Sequence, residues 1–207
     1  MKVEKYIVGI IGTNCYLIIN EDTKETVMVD PGGYPAQLKR EIKEKGLKVQ
    51  AVLLTHAHFD HIMGLKDVME DFKVPVYVEE MDKEMLTDGN MNLSGGYMNG
   101  GFLFEDAETV TDGQVLELAG FRFRVIHTPG HTPGGCCYYA EKEGVLFSGD
   151  TLFHASVGRS DFPGGSASDL VRSVREKLLI LPEETHVYPG HMDETTIGYE
   201  KLYNPFI

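Results

Sequence analysis

The chain has 207 residues, a length that suits one domain, residues 1–207, able to bury most of its unfolded surface without disulfide support. Its 19 Lys and Arg face 32 Asp and Glu, and the net charge of -13 argues against the cationic surface that a nucleic-acid partner requires. No apolar run reaches membrane-spanning length, Met1-Lys2-Val3-Glu4-Lys5 does not resemble a secretory leader, and three cysteines make no disulfide framework, so a reducing, cytoplasmic setting is expected.

Apolar, β-branched runs at 6–11, 15–19 and 26–29, separated by Gly12-Thr13-Asn14 and Asn20-Glu21-Asp22-Thr23, predict an opening antiparallel meander. Asp30-Pro31-Gly32-Gly33 ends the third strand. Pro35 then opens a helix with Leu38, Ile42 and Lys45 on one face, and Gly46 stops it. The run 51–54 predicts a short buried strand, and directly behind it lies Thr55-His56-Ala57-His58-Phe59-Asp60-His61, four potential metal ligands in six residues. His56 and His58, two apart on an extended exit, point the same way. Asp60 and His61 lie a turn further on and can face a second point, so this loop can serve two adjacent metal sites. The cluster is internal, follows a strand and mixes His with a carboxylate, which is unlike an affinity tag.

Ile62, Leu65, Val68, Met69 and Phe72 recur at helical spacing, placing His61 at or just inside a helix start. A strand at 74–78 and a short helix at 79–86 follow. Residues 88–101 are rich in Gly, Asn and Met and read as a disordered loop or, given Met91, Tyr97 and Met98, as a binding loop or lid. Runs 115–118 and 121–126 flank Ala119-Gly120 as a hairpin that delivers His127 and His131. Runs 136–140 and 145–147 form another pair, the second leading into Gly149-Asp150. Cys136 and Cys137 read as buried structural thiols, although their closeness to His131 in sequence leaves a place near the site open. Leu170, Val174, Leu178 and Leu181 mark a helical face, with a capping box over Ser166 to Asp169. A strand at 186–188 ends in Pro189-Gly190-His191, and a last helix covers 194–202. The order predicts a mixed α/β protein of two packed sheets with helices outside and a site along one edge.

His56-x-His58-x-Asp60-His61, His131 in Thr128-Pro129-Gly130-His131-Thr132-Pro133-Gly134, Asp150 in Ser148-Gly149-Asp150-Thr151 and His191 in Pro189-Gly190-His191 together resemble the full ligand series of the metallo-β-lactamase-fold hydrolases, in the family's order. The segment from Asp150-Thr151-Leu152-Phe153 to Gly158-Arg159 is similar to the glyoxalase II branch and its shorter bacterial members. The resemblance implies a four-layer αββα sandwich. It also implies two divalent metal ions, one on His56, His58 and His131, the other on Asp60, His61 and His191, with Asp150 between them. Zn²⁺ leads, and Fe²⁺ or Mn²⁺ suits the same donors. The implied reaction is attack of a hydroxide shared by the metals on the carbonyl of a small acyl thioester, such as S-lactoylglutathione, or of an ester, with Asp60 and Asp150 as catalytic carboxylates.

The departures bear on substrate. Where glyoxalase II has a helical C-terminal region with basic contacts to glutathione, the residues after His191 offer only Lys201, and Asp161 and Asp193 replace aromatic residues. Glutathione recognition of the familiar kind is therefore not expected. Arg159 is left to meet a substrate carboxylate or, the favoured reading, to pair structurally with Asp161 or another acid; Tyr97 is a second candidate substrate contact. His127, His154 and His186 stay outside the ligand set. A mononuclear iron oxygenase acting on persulfides and a lactone or ester hydrolase are the competing readings. The complete set Asp60, His61 and His191 favours the hydrolase. Oligomeric state is open.

Overall fold

The computed structural model describes residues 1–207 and builds them into two six-stranded sheets packed face to face, with helices over both outer surfaces. The first sheet runs in the order β1 (Lys2–Val8), β2 (Thr13–Ile19), β3 (Glu25–Val29), β4 (Lys48–Leu53), β5 (Val76–Glu79), β6 (Glu108–Val110). The first three strands are antiparallel, and β3 to β6 are parallel. Parallel neighbours need crossovers. Helix α1 (Ala36–Glu44) makes the one between β3 and β4, and α2 (Phe59–Ile62) with α3 (Leu65–Phe72) the next.

The second half contributes β7 (Val115–Leu118), β8 (Phe121–His127), β9 (Cys136–Ala140), β10 (Val145–Gly149), a small hairpin of β11 (Leu152–Phe153) and β12 (Ser156–Val157), helix α4 (Ala167–Ser173), β13 (His186–Pro189), β14 (Thr195–Thr196) and helix α5 (Ile197–Tyr203). Its sheet is ordered β14, β13, β10, β9, β8, β7, antiparallel except where β10 and β13 run side by side.

Strand periodicity explains three separate cores. Along β2, Cys15, Leu17 and Ile19 face the helices and join Leu38 and Ile42 of α1 and Leu65 and Val68 of α3. Tyr16 and Ile18 face the other sheet and meet Phe123, Val125, Tyr138 and Phe147. Behind the second sheet, Cys137, Tyr139, Leu146 and Val187 pack with Val174, Leu178 and Ile197. A strand buried on both faces reads as a continuous apolar run, which is why β2 shows no polar alternation. The αββα arrangement expected from the resemblance is the one observed. Adjacent Cys136 and Cys137 fall on opposite faces of β9, in different cores, as buried free thiols.

Several predicted elements differ. The run 6–11 is not one strand: β1 ends at Val8, and Gly9 and Gly12 take φ of 71° and 75°, leaving Ile10 and Ile11 exposed at a hairpin tip. The helix after the His loop is divided, because the Gly64 N–H donates to the Pro31 carbonyl (2.8 Å) and no i-4 carbonyl. Residues 80–87 form two 3₁₀ turns. α4 opens on the expected cap, Ser166 accepting from the Asp169 N–H, and runs on as one π turn over Val174–Leu178. The last helix starts later than expected, because Thr195 and Thr196 first pair with β13. Residues 88–101 are organised around buried Asn92, whose amide donates to the carbonyls of Met85 (3.0 Å) and Phe102 (2.9 Å) and whose carbonyl accepts from the Phe59 N–H (2.8 Å).

Candidate metal centre

Four strand ends converge on one edge of the sandwich. β4 leads into His56, His58, Asp60 and His61; β8 into His131; β10 into Asp150; β13 into His191. Paired sheets bring these ends together although up to 135 positions of sequence lie between them, which only the packing of β10 and β13 against β2 and β4 achieves. Asn14 and Tyr16 of β2 tie the last loop in place: Asn14 donates to the carbonyls of Pro189 and Met192 (3.0 Å each), and the Tyr16 hydroxyl donates to Pro189 O (2.7 Å).

The seven predicted ligands meet in three overlapping groups, His56 with His58 and His131, His56 with His61 and Asp150, and Asp60 with His61 and His191, the donor atoms of each group within 4.8 Å of one another. His58 Nδ1 lies 2.9 Å from His131 Nε2. His191 Nε2 and His61 Nε2 lie 3.1 and 3.3 Å from Asp60 Oδ2. Asp150 spans the groups, with Oδ1 3.4 Å from His61 Nε2 and Oδ2 3.5 Å from His131 Nε2.

The donor set fits a divalent cation. The Thr55 hydroxyl donates to Asp30 Oδ2 (2.7 Å), so its oxygen accepts from His56 Nδ1–H (3.1 Å). His61 Nδ1–H donates to Asp30 Oδ2 (2.9 Å), and His131 Nδ1–H donates to the Arg159 carbonyl (2.6 Å). Each bond fixes the tautomer that leaves Nε2 as a lone-pair donor aimed into the cluster. Nε2 of His56 and His61 and Oδ1 of Asp150 are buried without any hydrogen-bond partner, as is His58 Nε2. Buried polar atoms are almost always satisfied, so several orphans in one cluster point to an ion.

Electrostatics divides the cluster. Burial, then the neighbouring imidazoles, pushes His56 well down and His58 to about 3, so both are neutral, as metal ligands must be. Burial also opposes charge on His61 and His191, yet the carboxylates of Asp60 and Asp150 outweigh it and raise both. Asp60 and Asp150 are held below the usual carboxylate range despite burial, chiefly by His61.

Three supporting residues carry no sequence signal as site residues. Asp30, which reads as part of a turn, orients His61 and Thr55. Thr13 donates to Asp60 Oδ2 (2.8 Å). Asp82 is wholly buried and accepts from Ala57 N–H (3.0 Å), Thr132 Oγ1 (2.8 Å) and Gly134 N–H (2.6 Å), joining the loop of His56 and His58 to that of His131. His127, His154 and His186 lie apart from the cluster: His127 Nε2 donates to the Pro133 carbonyl, His154 packs edge-on against Tyr199, and His186 pairs with Glu194.

The cluster forms the floor of a cleft of about 700 Å³. Tyr97, stacked on Phe59 at 4.4 Å, and Leu93 belong to the 88–101 segment, which forms one wall. Phe162 and Arg159 also line the cleft. Arg159 makes a bidentate pair with Asp161, Nε to Oδ1 2.8 Å and Nη2 to Oδ2 2.7 Å, the structural pairing favoured from sequence.

A family model described as the Metallo-beta-lactamase superfamily matches residues 8–191. A Bacillus subtilis protein named probable metallo-hydrolase YqgX is 40% identical, over 100% of this chain and 98% of its own length. The Haemophilus influenzae hydroxyacylglutathione hydrolase GloC is 36% identical, again over 100% and 98%. The solved structure of the BLEG-1 B3 metallo-beta-lactamase superposes with a TM-score of 0.93 at 42% identity, covering 99% of each chain. That of TTHA1623 in a di-iron-bound form gives 0.85 at 35% identity, covering 99% of this chain and 100% of the other.

Proposed function

We propose that this chain, which belongs to the metallo-beta-lactamase superfamily, is a binuclear hydrolase of the glyoxalase II-like branch that cleaves small acyl thioesters. The observation that carries this reading is the convergence of seven imidazole and carboxylate side chains at the floor of an open cleft, with Nε2 of His56, His58 and His61 and Oδ1 of Asp150 buried and without protein partners. His56, His58 and His131 would hold one ion and Asp60, His61 and His191 the other, with Asp150 reaching both. Imidazole and carboxylate donors without thiolate suit Zn²⁺, and the di-iron form of the similar TTHA1623 supports Fe in the same donors. Such an ion pair supplies Lewis acidity toward a carbonyl oxygen and a water whose pKa falls from 15.7 to about 7.

The protein's part is positional. Asp60, braced by Thr13, and Asp150 stay ionised and can accept the hydrogen bonds that orient an attacking water. Tyr97, Leu93 and Phe162 hold apolar walls around the carbonyl, and Tyr97 and Arg159 are the proposed substrate contacts. No thiol serves as nucleophile: Cys136 and Cys137 are buried, and burial pushes Cys137 up to about 11.

A second reading is hydrolysis of a β-lactam amide by the same centre, favoured by the 0.93 superposition on BLEG-1. A mononuclear oxygenase acting on persulfides needs only one donor group, and the presence of Asp60, His61 and His191 in full speaks for the hydrolase.

The test is metal content after purification without added metal, together with turnover of S-lactoylglutathione, simple thioesters, a lactone and a β-lactam. About two ions per chain with thioester turnover is expected, and His58→Ala should lose both metal and activity while keeping the wild-type far-UV circular dichroism. One iron per chain, no hydrolysis, and oxygen uptake with a persulfide would replace the hydrolase with the oxygenase. Turnover of the β-lactam alone would move the substrate class to the second reading.

A further inference from the structure

We infer, on the footing of the thioesterase reading, that the cleft selects thioesters whose thiol portion is neutral and apolar, and that Asp161 is the residue that sets this preference. Arg159 is the only Lys or Arg lining the cleft, whose apolar walls include Ile11, Leu93, Tyr97, Phe153, Phe162 and Met192. The Nε–Nη2 edge of that guanidinium is already given to Asp161, whose carboxylate neutralises its charge. The pair is not remote from the chemistry. The guanidinium carbon lies 4.0 Å from the centre of the Phe162 ring, and that ring sits edge-on to His58 at 5.4 Å.

The bond from His131 Nδ1–H to the Arg159 carbonyl fixes the backbone from which the pair is presented. The hydrogen bond from Arg159 keeps the Asp161 carboxyl at about 2, and the pair is therefore ionised throughout the neutral range. An anionic thiol portion entering the cleft meets a guanidinium whose charge Asp161 already neutralises, and at the open Nη1 side of the fork it lies beside that carboxylate, in a protein of net charge -13. A neutral aryl or alkyl thiol meets none of this and removes apolar wall from water. The pair itself is exposed on both sides, and exposed ion pairs are weak, so the barrier to anions is modest and should yield to one substitution.

The experiment compares kcat/KM for two thioesters with the same acyl group: S-lactoylglutathione, whose thiol carries carboxylates, and the lactoyl thioester of benzyl mercaptan, whose thiol is neutral and aryl. The wild-type protein loaded with metal should favour the benzyl thioester on the order of ten-fold. Asp161→Asn should shift that ratio roughly five-fold toward the glutathione thioester, mainly through KM, and Arg159→Gln added to it should abolish the shift. A wild-type preference for the glutathione thioester, or a ratio unmoved by Asp161→Asn, overturns the inference while leaving the thioesterase standing. Turnover of neither thioester overturns the thioesterase reading itself, and this inference with it.

Discussion

At Gly190 the backbone passes so close to the cluster that an added Cβ would lie 2.3 Å from Asp150 Oδ1 and 2.7 Å from His61 Cε1. No side chain fits there unless those two groups retreat, and both are proposed to hold metal. Gly190→Ala is therefore expected to lower metal affinity by about 10- to 100-fold, the range seen when groups supporting a metal ligand are disturbed. Titration of the metal-free variant with Zn²⁺ checks this, and binding as tight as wild type would show that the loop absorbs the methyl group. Asp30 illustrates the same scale from the other side. It touches no proposed ion, yet its Oδ2 sets which nitrogen of His61 carries the proton and, through Thr55, does the same for His56.

Between elements, Asp82 joins two ligand loops that no strand connects directly. Its carboxylate accepts from Ala57 N–H, Thr132 Oγ1 and Gly134 N–H. An added Cβ at Gly134 would meet Asp82 N at 2.4 Å, so the two segments also pack without a gap. Burial raises the carboxyl above its ordinary range while these hydrogen bonds oppose the rise. Asp82→Asn keeps the shape but sets an NH₂ against at least one donor, leaving buried groups unsatisfied at a cost of about 1–3 kcal/mol. The expected outcome is a lowered denaturant midpoint and weaker metal binding at His56, His58 and His131. A fall in stability with metal affinity unchanged would show that Asp82 braces the fold without positioning the ligands.

For the whole molecule, acid should act on the site before it acts on the rest. With metal removed by a chelator, His56 and His58 have folded values below the ordinary 6.5, His58 at about 3. Their stabilising contribution is thus present above about 6.5 and lost as the pH falls through the folded values. His61 and His191 are raised, so theirs is complete below about 6.5 and is lost only as the pH rises through their folded values. Between pH 6.5 and 4 the contribution of the second pair is already complete and the raised carboxyl of Asp82 works the other way, so the loss of stability with acid comes from His56 and His58. The Tm of the chelated protein should fall steadily across that window, and metal binding should weaken in step because the ligands must be deprotonated. A Tm that stays flat from pH 6.5 to 4 would contradict the buried, neutral state of these two imidazoles.

Much of this protein was legible locally. The strand before His56, the two-residue spacing of His56 and His58, the Ser166 cap and the helical spacing of Leu170, Val174 and Leu178 follow from the periods of strand and helix, which any short window displays. His56, His58, Asp60 and His61 stood out as a cluster behind a strand, and His131, Asp150 and His191 joined them through the resemblance to the family's ligand series. Short edge elements were not legible: β6 buries only Val110, and β11, β12 and β14 have two residues each, too few to show a period. Nor were the partners that hold the site. Thr13 meets Asp60, Asp30 meets His61, and Asp82 meets Thr132 and Gly134 across 31 to 52 positions of sequence. Arg159 offered more than one partner, and in the fold Asp161 takes the Nε–Nη2 edge of its fork. Period and composition decide which residues lie on a strand, a helix or a turn. The packing of one sheet on the other decides which of their polar atoms come within 3 Å, because hydrogen-bond reach is far shorter than the chain between them.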